Sequence, residues 1–201
     1  MDPQLMALTF ALIFPVELPD KTFVAALVLS TRYRPLAVWV GVGLAFAVQC
    51  LIAVSAGAAI SFLPDWVVTV ISTTLFLIGA VILFRAAPNA DAGEKEQEEE
   101  FAAKATVERS GWRAVTASFV VLFAAEWGDL SQVLILNMVA KYGSPVSVFF
   151  GAWLALLTVS GLAVLFGRLL LRYLRLSVVH YIAGTVCLVL ASVGLASLLT
   201  S

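Results

Sequence analysis

The chain has 201 residues, 62% of them hydrophobic and only 12% charged, with a formal net charge of −1 and a mean hydropathy of +1.02. A soluble domain of this length is far more polar, so the composition excludes a sizeable soluble catalytic domain, and the near-neutral charge argues against a nucleic-acid partner. Two cysteines in different apolar stretches (Cys50 and Cys187) and a single histidine argue against a zinc site built on soft ligands.

Crossing a bilayer core of roughly 30 Å takes about 20 apolar residues in a helix. In chain order, six stretches meet that length: about 4–30, 36–60, 66–84, 114–140, 146–168 and 177–199. The expected fold is an all-α membrane protein with six transmembrane helices. The first stretch follows Met1-Asp2-Pro3-Gln4, which carries no Lys or Arg. It is also too long for a signal-peptide core, so it is read as retained.

Cations set the expected topology. Arg32, Arg34, Arg85, Lys95, Lys104, Arg109, Arg113, Arg168, Arg172 and Arg175 fall in the first, third and fifth connections, while the opposite side holds Lys141. The positive-inside rule then places those three connections in the cytoplasm and both termini outside, which for a bacterial chain means the plasma (inner) membrane. Between the third and fourth stretches the composition changes. Residues 86–112 include Asp91, Glu94, Glu96, Glu98, Glu99, Glu100 and Glu108. Such a segment buries too little apolar surface to fold alone and is expected to be a mobile cytoplasmic tether with at most a short surface helix.

The two sides of this linker are copies. Shifted by 109 residues, Phe14 falls on Phe123, Glu17 on Glu126, Asp20 on Asp129, Thr22 on Ser131 and Tyr33 on Tyr142. One further residue brings Pro35 onto Pro145, Gly41 onto Gly151 and Gly57 onto Gly167. The expected organisation is a first three-helix repeat at 1–85, the acidic linker at 86–112 and a second repeat at 113–201. Three spans is an odd number, so the second copy crosses the membrane in the opposite sense. Inverted-topology repeats of this kind build two-faced sites near the midplane in many secondary transporters.

The best-matched residues are also the most costly to bury. The first copy reads Glu17-Leu18-Pro19-Asp20-Lys21-Thr22 and the second Glu126-Trp127-Gly128-Asp129-Leu130-Ser131. An acid at the centre of a membrane helix costs roughly 2.5–3.5 kcal/mol on insertion scales, and such residues mark functional sites. Three residues apart, the two acids of each copy share a helix face. Four carboxylates (Glu17, Asp20, Glu126 and Asp129), facing one another at mid-depth, suit a hard divalent cation. Pro19 and Gly128 weaken the helix at matching positions, the pattern of broken helices at transporter sites. Unwinding there would free backbone carbonyls and turn Thr22 and Ser131 inward. Gln132 and Asn137 are further oxygen donors that serve equally well as interhelical hydrogen bonds.

Lys21 has no basic counterpart, because Leu130 occupies the matching position. It can pair with Glu17 or Asp20, or reach another carboxylate when the site is empty. Burial without a cation favours the protonated acid, while an ion favours the carboxylate, so one cluster can hold either protons or a metal. His180 begins the last stretch near the cytoplasmic side and reads as an interfacial side chain.

At these residues the chain resembles a family of six-span cation/proton antiporters found in Golgi membranes, chloroplasts and bacteria and grouped with the lysine-exporter superfamily. That family's mark is Glu-x-Gly-Asp-(Lys/Arg)-(Ser/Thr) in each half, with an acidic loop between, and the resemblance covers essentially the whole chain. It implies that Glu17, Asp20, Glu126 and Asp129 bind the cation, with Thr22, Ser131 and Gln132 in support. The implied substrate is Mn²⁺, with Ca²⁺ second, exported against H⁺ without a prosthetic group. The implied partners are the bilayer and the cation, and a homodimer is compatible. Pro19 in place of glycine and Leu130 in place of a cation depart from the pattern; the second puts selectivity and stoichiometry in question.

Three other readings differ in what they predict. An exporter of amino acids or other small cationic solutes would move lysine rather than Mn²⁺. An intramembrane aspartyl protease would use Asp20 and Asp129, but leaves the two glutamates without a task. A structural bundle would lose assembly, not transport, when Glu17 or Glu126 is neutralised.

Overall fold

The computed structural model describes residues 1–18, 21–104, 111–173 and 176–200, and among these it contains helices and connecting turns but no strand. In chain order the helices are α1 (Pro3–Glu17), α2 (Lys21–Arg32), α3 (Pro35–Ile60), α4 (Asp65–Ala86), α5 (Ala90–Lys104), α6 (Trp112–Ala125), α7 (Leu130–Tyr142), α8 (Pro145–Tyr173) and α9 (Leu176–Thr200). Four of them (α3, α4, α8 and α9) are long and apolar enough to cross a membrane, and counting the bent pair α6–α7 as one span makes five.

Local chemistry sets several boundaries. Asp2 caps α1, its carboxylate accepting from the backbone N–H groups of Gln4 at 2.9 Å and Leu5 at 3.3 Å. Pro35 and Pro145 open α3 and α8, where a missing N–H costs nothing. Gly143 ends α7 with a left-handed φ of +62°.

Apolar length defines the first and fourth spans, and each is divided at its acidic motif, between α1 and α2 and between α6 and α7, as the helix-weakening Pro19 and Gly128 led one to expect. Pro19 and Asp20 themselves lie outside the described residues. The linker differs from expectation. Residues 90–104 form α5, which lies against α2 and is anchored by Phe101, buried in the main core. The apolar Phe101-Ala102-Ala103 after the acidic run supplies the burial that the glutamates alone lack.

Helices pack in matched couples. α1 lies on α8 as α6 lies on α3, and α2 touches α6 and α8 as α7 touches α1 and α3. The matches extend to single contacts. A Cβ on Gly41 would press on the Val115 carbonyl and the Ser118 side chain, and one on Gly151 would press on the Met6 carbonyl and Thr9. Met6 and Thr9 correspond to Val115 and Ser118 under the 109-residue shift. Phe10 stacks on Phe14 with ring centroids 5.6 Å apart, and their counterparts Phe119 and Phe123 stack at 5.6 Å as well.

α2 is the deepest helix, with every residue from Thr22 to Leu29 buried. A helix apolar on all sides belongs in a core. By contrast, α4 and α9 pair with each other and turn Leu77, Ile78, Val81 and Ile82, and Leu188, Val189, Val193 and Leu195, outward. α4 rests on α7, and α9 on α1.

Replacing Gly41 or Gly151 with valine should therefore force apart α3–α6 or α8–α1. Each substitution is expected to lower stability by about 1–3 kcal/mol. Thermal unfolding of the detergent-solubilised protein would register this as a similar drop for the two variants, because the contacts match.

Candidate functional site

The second motif shows how the chain brings carboxylates together. α6 ends at Ala125, Glu126 takes up φ −96° and ψ 4°, and its N–H still donates to the Leu122 carbonyl. Gly128 then adopts φ +79°, a conformation open to glycine but strained for other residues. Asp129 follows at the N-cap of α7, in extended backbone with no capping hydrogen bond from its side chain. The axes of α6 and α7 differ by 76°.

Gln132 closes the break. Its amide Nε2 donates to the Glu126 carbonyl at 3.0 Å, and its Oε1 accepts from the Gly128 N–H at 3.2 Å. The Glu126 carbonyl also accepts from the Asp129 N–H at 3.3 Å. Unwinding was expected to free backbone carbonyls for an ion, but the Glu126 carbonyl is already engaged. Gln132 is therefore a brace for the turn.

The first motif turns the same way. Glu17 is the last residue of α1 and Lys21 the first of α2. Thr22, on another face had the helix run on, donates its hydroxyl to the Glu17 carboxylate at 3.1 Å. Ser131, its counterpart, neighbours the same Glu17 carboxyl from α7. Both hydroxyls are buried, as the expected inward turn requires.

Glu17, Glu126 and Asp129 converge, each offering a carboxylate oxygen within 4.8 Å of the others. Glu17 and Glu126 are 0% and 1% exposed. Three of the four acids singled out from sequence thus form one cluster across the two halves; the fourth, Asp20, lies outside the described residues, as does Pro19. Three hard anionic ligands in so small a space could hold a divalent cation. Lys21 reaches across as well: its ammonium lies 3.2 Å from Asp129 Oδ1, an ion pair between the first motif and the second.

Asn137 is not in this cluster. Its carbonyl oxygen accepts from the Ser72 hydroxyl of α4 at 2.6 Å, an interhelical hydrogen bond two turns further along α7. Gln49 was not singled out from sequence. It is a buried amide of α3 that donates to the Phe123 carbonyl at 3.1 Å, a group left over where α6 stops. Its signal was an amide in the middle of an otherwise apolar stretch. Cys50 and Cys187 are buried free thiols, consistent with packing.

Among the described residues, cavities lie between the α4–α9 pair and helices α1 and α7. One, of about 370 Å³, is lined by Gly128, Asp129 and Leu130 of the second motif, by Ile78, Ile82 and Ala86 of α4 and by His180. Another, of about 140 Å³, is lined by Ser72 and Asn137 themselves together with Thr69, Thr73, Lys141 and Ser197.

Substituting Gln132 by leucine should leave the Glu126 carbonyl and Gly128 N–H without their partner, at a cost of about 1–3 kcal/mol. Thermal unfolding should report that loss. Gly128→Ala should cost about 1–3 kcal/mol through the left-handed backbone alone.

The family model described as "Divalent cation/proton antiporter GDT1" matches twice, at residues 5–91 and 114–200. The chain is 32% identical to Protein PAM71, chloroplastic, of Arabidopsis thaliana over 96% of its own length and 57% of that protein's. It is 35% identical to GDT1-like protein sll0615 of Synechocystis over 62% of this chain and 65% of that one. GDT1-like protein 1, chloroplastic, of Oryza sativa subsp. indica is 30% identical over 97% and 62%. The chain thus spans 57% to 65% of the length of these relatives. No solved structure matches. The family is one of transporters, not enzymes, which sets aside the protease reading. With two copies of the family's unit covering most of its length, and apolar helices fit to cross a bilayer several times, the chain belongs to the GDT1 family of divalent cation/proton antiporters.

Proposed function

We propose that this protein is a secondary antiporter that exports a divalent cation, Mn²⁺ ahead of Ca²⁺, from the cytoplasm in exchange for protons. The observation that carries this reading is the convergence of Glu17, Glu126 and Asp129 within 4.8 Å, contributed by two separate halves. A cluster of carboxylates in an apolar interior needs either a metal or protons to be tolerable. Exchanging one for the other is the chemistry of antiport. Asp20, on its matching position, completes the ligand set, and the Thr22 and Ser131 hydroxyls support it.

The architecture proposed is six spans in two inverted repeats, residues 1–85 and 113–201, joined by a cytoplasmic linker at 86–112. The broken pairs α1–α2 and α6–α7 each count as one span. The matched contacts of Gly41 and Gly151 and the two family matches support this division. The broken helices present α7's positive N-terminal end to the carboxylates, which favours negative charge there.

Alternating access follows from the cavities. With the cation-rich connections inside, Ala86 and His180 lie at the cytoplasmic end, and the larger cavity leads from there to Asp129. The outer route proposed runs past the Ser72–Asn137 hydrogen bond, which would hold it shut. The resting conformation proposed is therefore open to the cytoplasm. Opening to the outside takes the α4–α9 pair away from α7 and breaks the Ser72–Asn137 contact.

Purified protein in liposomes should carry Mn²⁺ under a pH gradient, and lysine should not be carried. Glu126→Gln and Asp129→Asn should each reduce Mn²⁺ flux more than about tenfold; flux intact in both would sink the assignment. Ser72→Cys combined with Asn137→Cys should lose transport on oxidation and recover on reduction. Transport that persists in the oxidised, cross-linked protein would mean the outer route opens elsewhere.

A further inference from the structure

We propose that Lys21 is a built-in competitor for the transported cation, and that it sets the preference for divalent over monovalent ions. Its ammonium holds Asp129 when no metal is bound, and a cation must displace it to use that ligand. The proposal rests on the assignment of Glu17, Glu126 and Asp129 as the cation site.

Three features of the structure point this way. First, the pair is between halves: Lys21 opens α2, yet its Nζ lies 3.2 Å from Asp129 Oδ1 at the head of α7. Asp129 is at once a member of the carboxylate cluster and the partner of a fixed cation. Its carboxylate makes no capping hydrogen bond to its own helix, so nothing local holds it away from either partner.

Second, the pair sits where exchange is possible. The Lys21 and Asp129 side chains are 33% and 21% exposed, whereas Glu17 and Glu126 are sealed. Asp129 lines the larger cavity, so an incoming ion meets it before the two buried glutamates. A lysine side chain, long and flexible with a compact charge, can swing aside without moving the backbone.

Third, the arrangement is one-sided. Leu130 holds the position equivalent to Lys21 and carries no charge. Its side chain fills the notch at Gly79 of α4, where even a Cβ would collide with it. One half-site therefore has an internal cation, and the other has an apolar plug.

The selectivity follows from charge. A monovalent ion offers Asp129 no more charge than the ammonium it would replace, and loses its hydration shell in doing so. A dication offers twice the charge and draws on Glu17 and Glu126 at the same time, so it wins the exchange. Moving Lys21 off Asp129 is then coupled to loading of the divalent ion.

The test is equilibrium binding of radioactive Mn²⁺ to the full-length protein in lipid nanodiscs, with Na⁺ as the competing ion, together with Mn²⁺ transport in liposomes. Lys21→Met should bind Mn²⁺ roughly 3–10-fold more tightly and become sensitive to Na⁺. In transport its KM should fall and its kcat should fall too, since release loses its competitor. Lys21→Arg, which can hold Asp129 through two parallel hydrogen bonds, should bind Mn²⁺ no more tightly than the unaltered protein. Leu130→Lys, adding a second ammonium, should weaken binding, and it carries the test should Lys21→Met fail to fold. Glu126→Gln separates the two levels of the argument. If it abolishes Mn²⁺ binding while Lys21→Met binds Mn²⁺ and resists Na⁺ as before, the competitor role is wrong and the site stands. If Glu126→Gln binds Mn²⁺ normally, both fall.

Discussion

Two carboxylates buried to 0% and 1% exposure inside an apolar bundle are the constraint around which this molecule is arranged. An ionised acid in such a place needs opposite charge and hydrogen bonds, or it takes up a proton. The local structure supplies what it can. Thr22 donates to Glu17, and the turn between α6 and α7 brings Asp129 and the positive end of a helix alongside. Gln132 and Gln49 take up backbone groups that the break in α6 leaves over. Lys21 brings the one ammonium paired with the cluster among the described residues.

The same constraint explains why the helices stop where they do. Glu126 and Asp129 could share a face of an unbroken helix, but that would leave Ser131 turned away and the backbone groups locked in the helix. Unwinding at Gly128 gives up helical hydrogen bonds and recovers them through one glutamine. It aims the acids and the hydroxyls at the same point. The glycine matters because its φ of +79° is the hinge of that turn.

Matching contacts hold the body of the protein together, and mismatched ones distinguish its two halves. Gly41 with Val115 and Gly151 with Met6 are the same contact made twice, as are the two phenylalanine stacks. These join α1 to α8 and α6 to α3 into a common frame. The departures lie elsewhere: Lys21 against Leu130, and an α4–α9 pair resting on α1 and α7. The unequal parts sit beside the cluster and along the cavity that leads to it.

The amino-acid sequence by itself determined the membrane character, the duplication and the identity of the costly acids. These properties are local or periodic: apolar length, a constant shift of 109 residues, and charge where charge is expensive. It also marked Gly128 as a weak point, since the backbone freedom of glycine is a property of the residue. It did not show that α5 is anchored by Phe101, because docking depends on a groove made by distant helices. Nor did it separate Gln132 from Asn137, two amides on one helix. Only the packing decided that one braces the turn while the other bonds to Ser72 on α4. Most of all, the sequence left Lys21 with several acids in reach. The fold chose Asp129, 108 residues away, because only the approach of the two halves puts that carboxylate beside the ammonium.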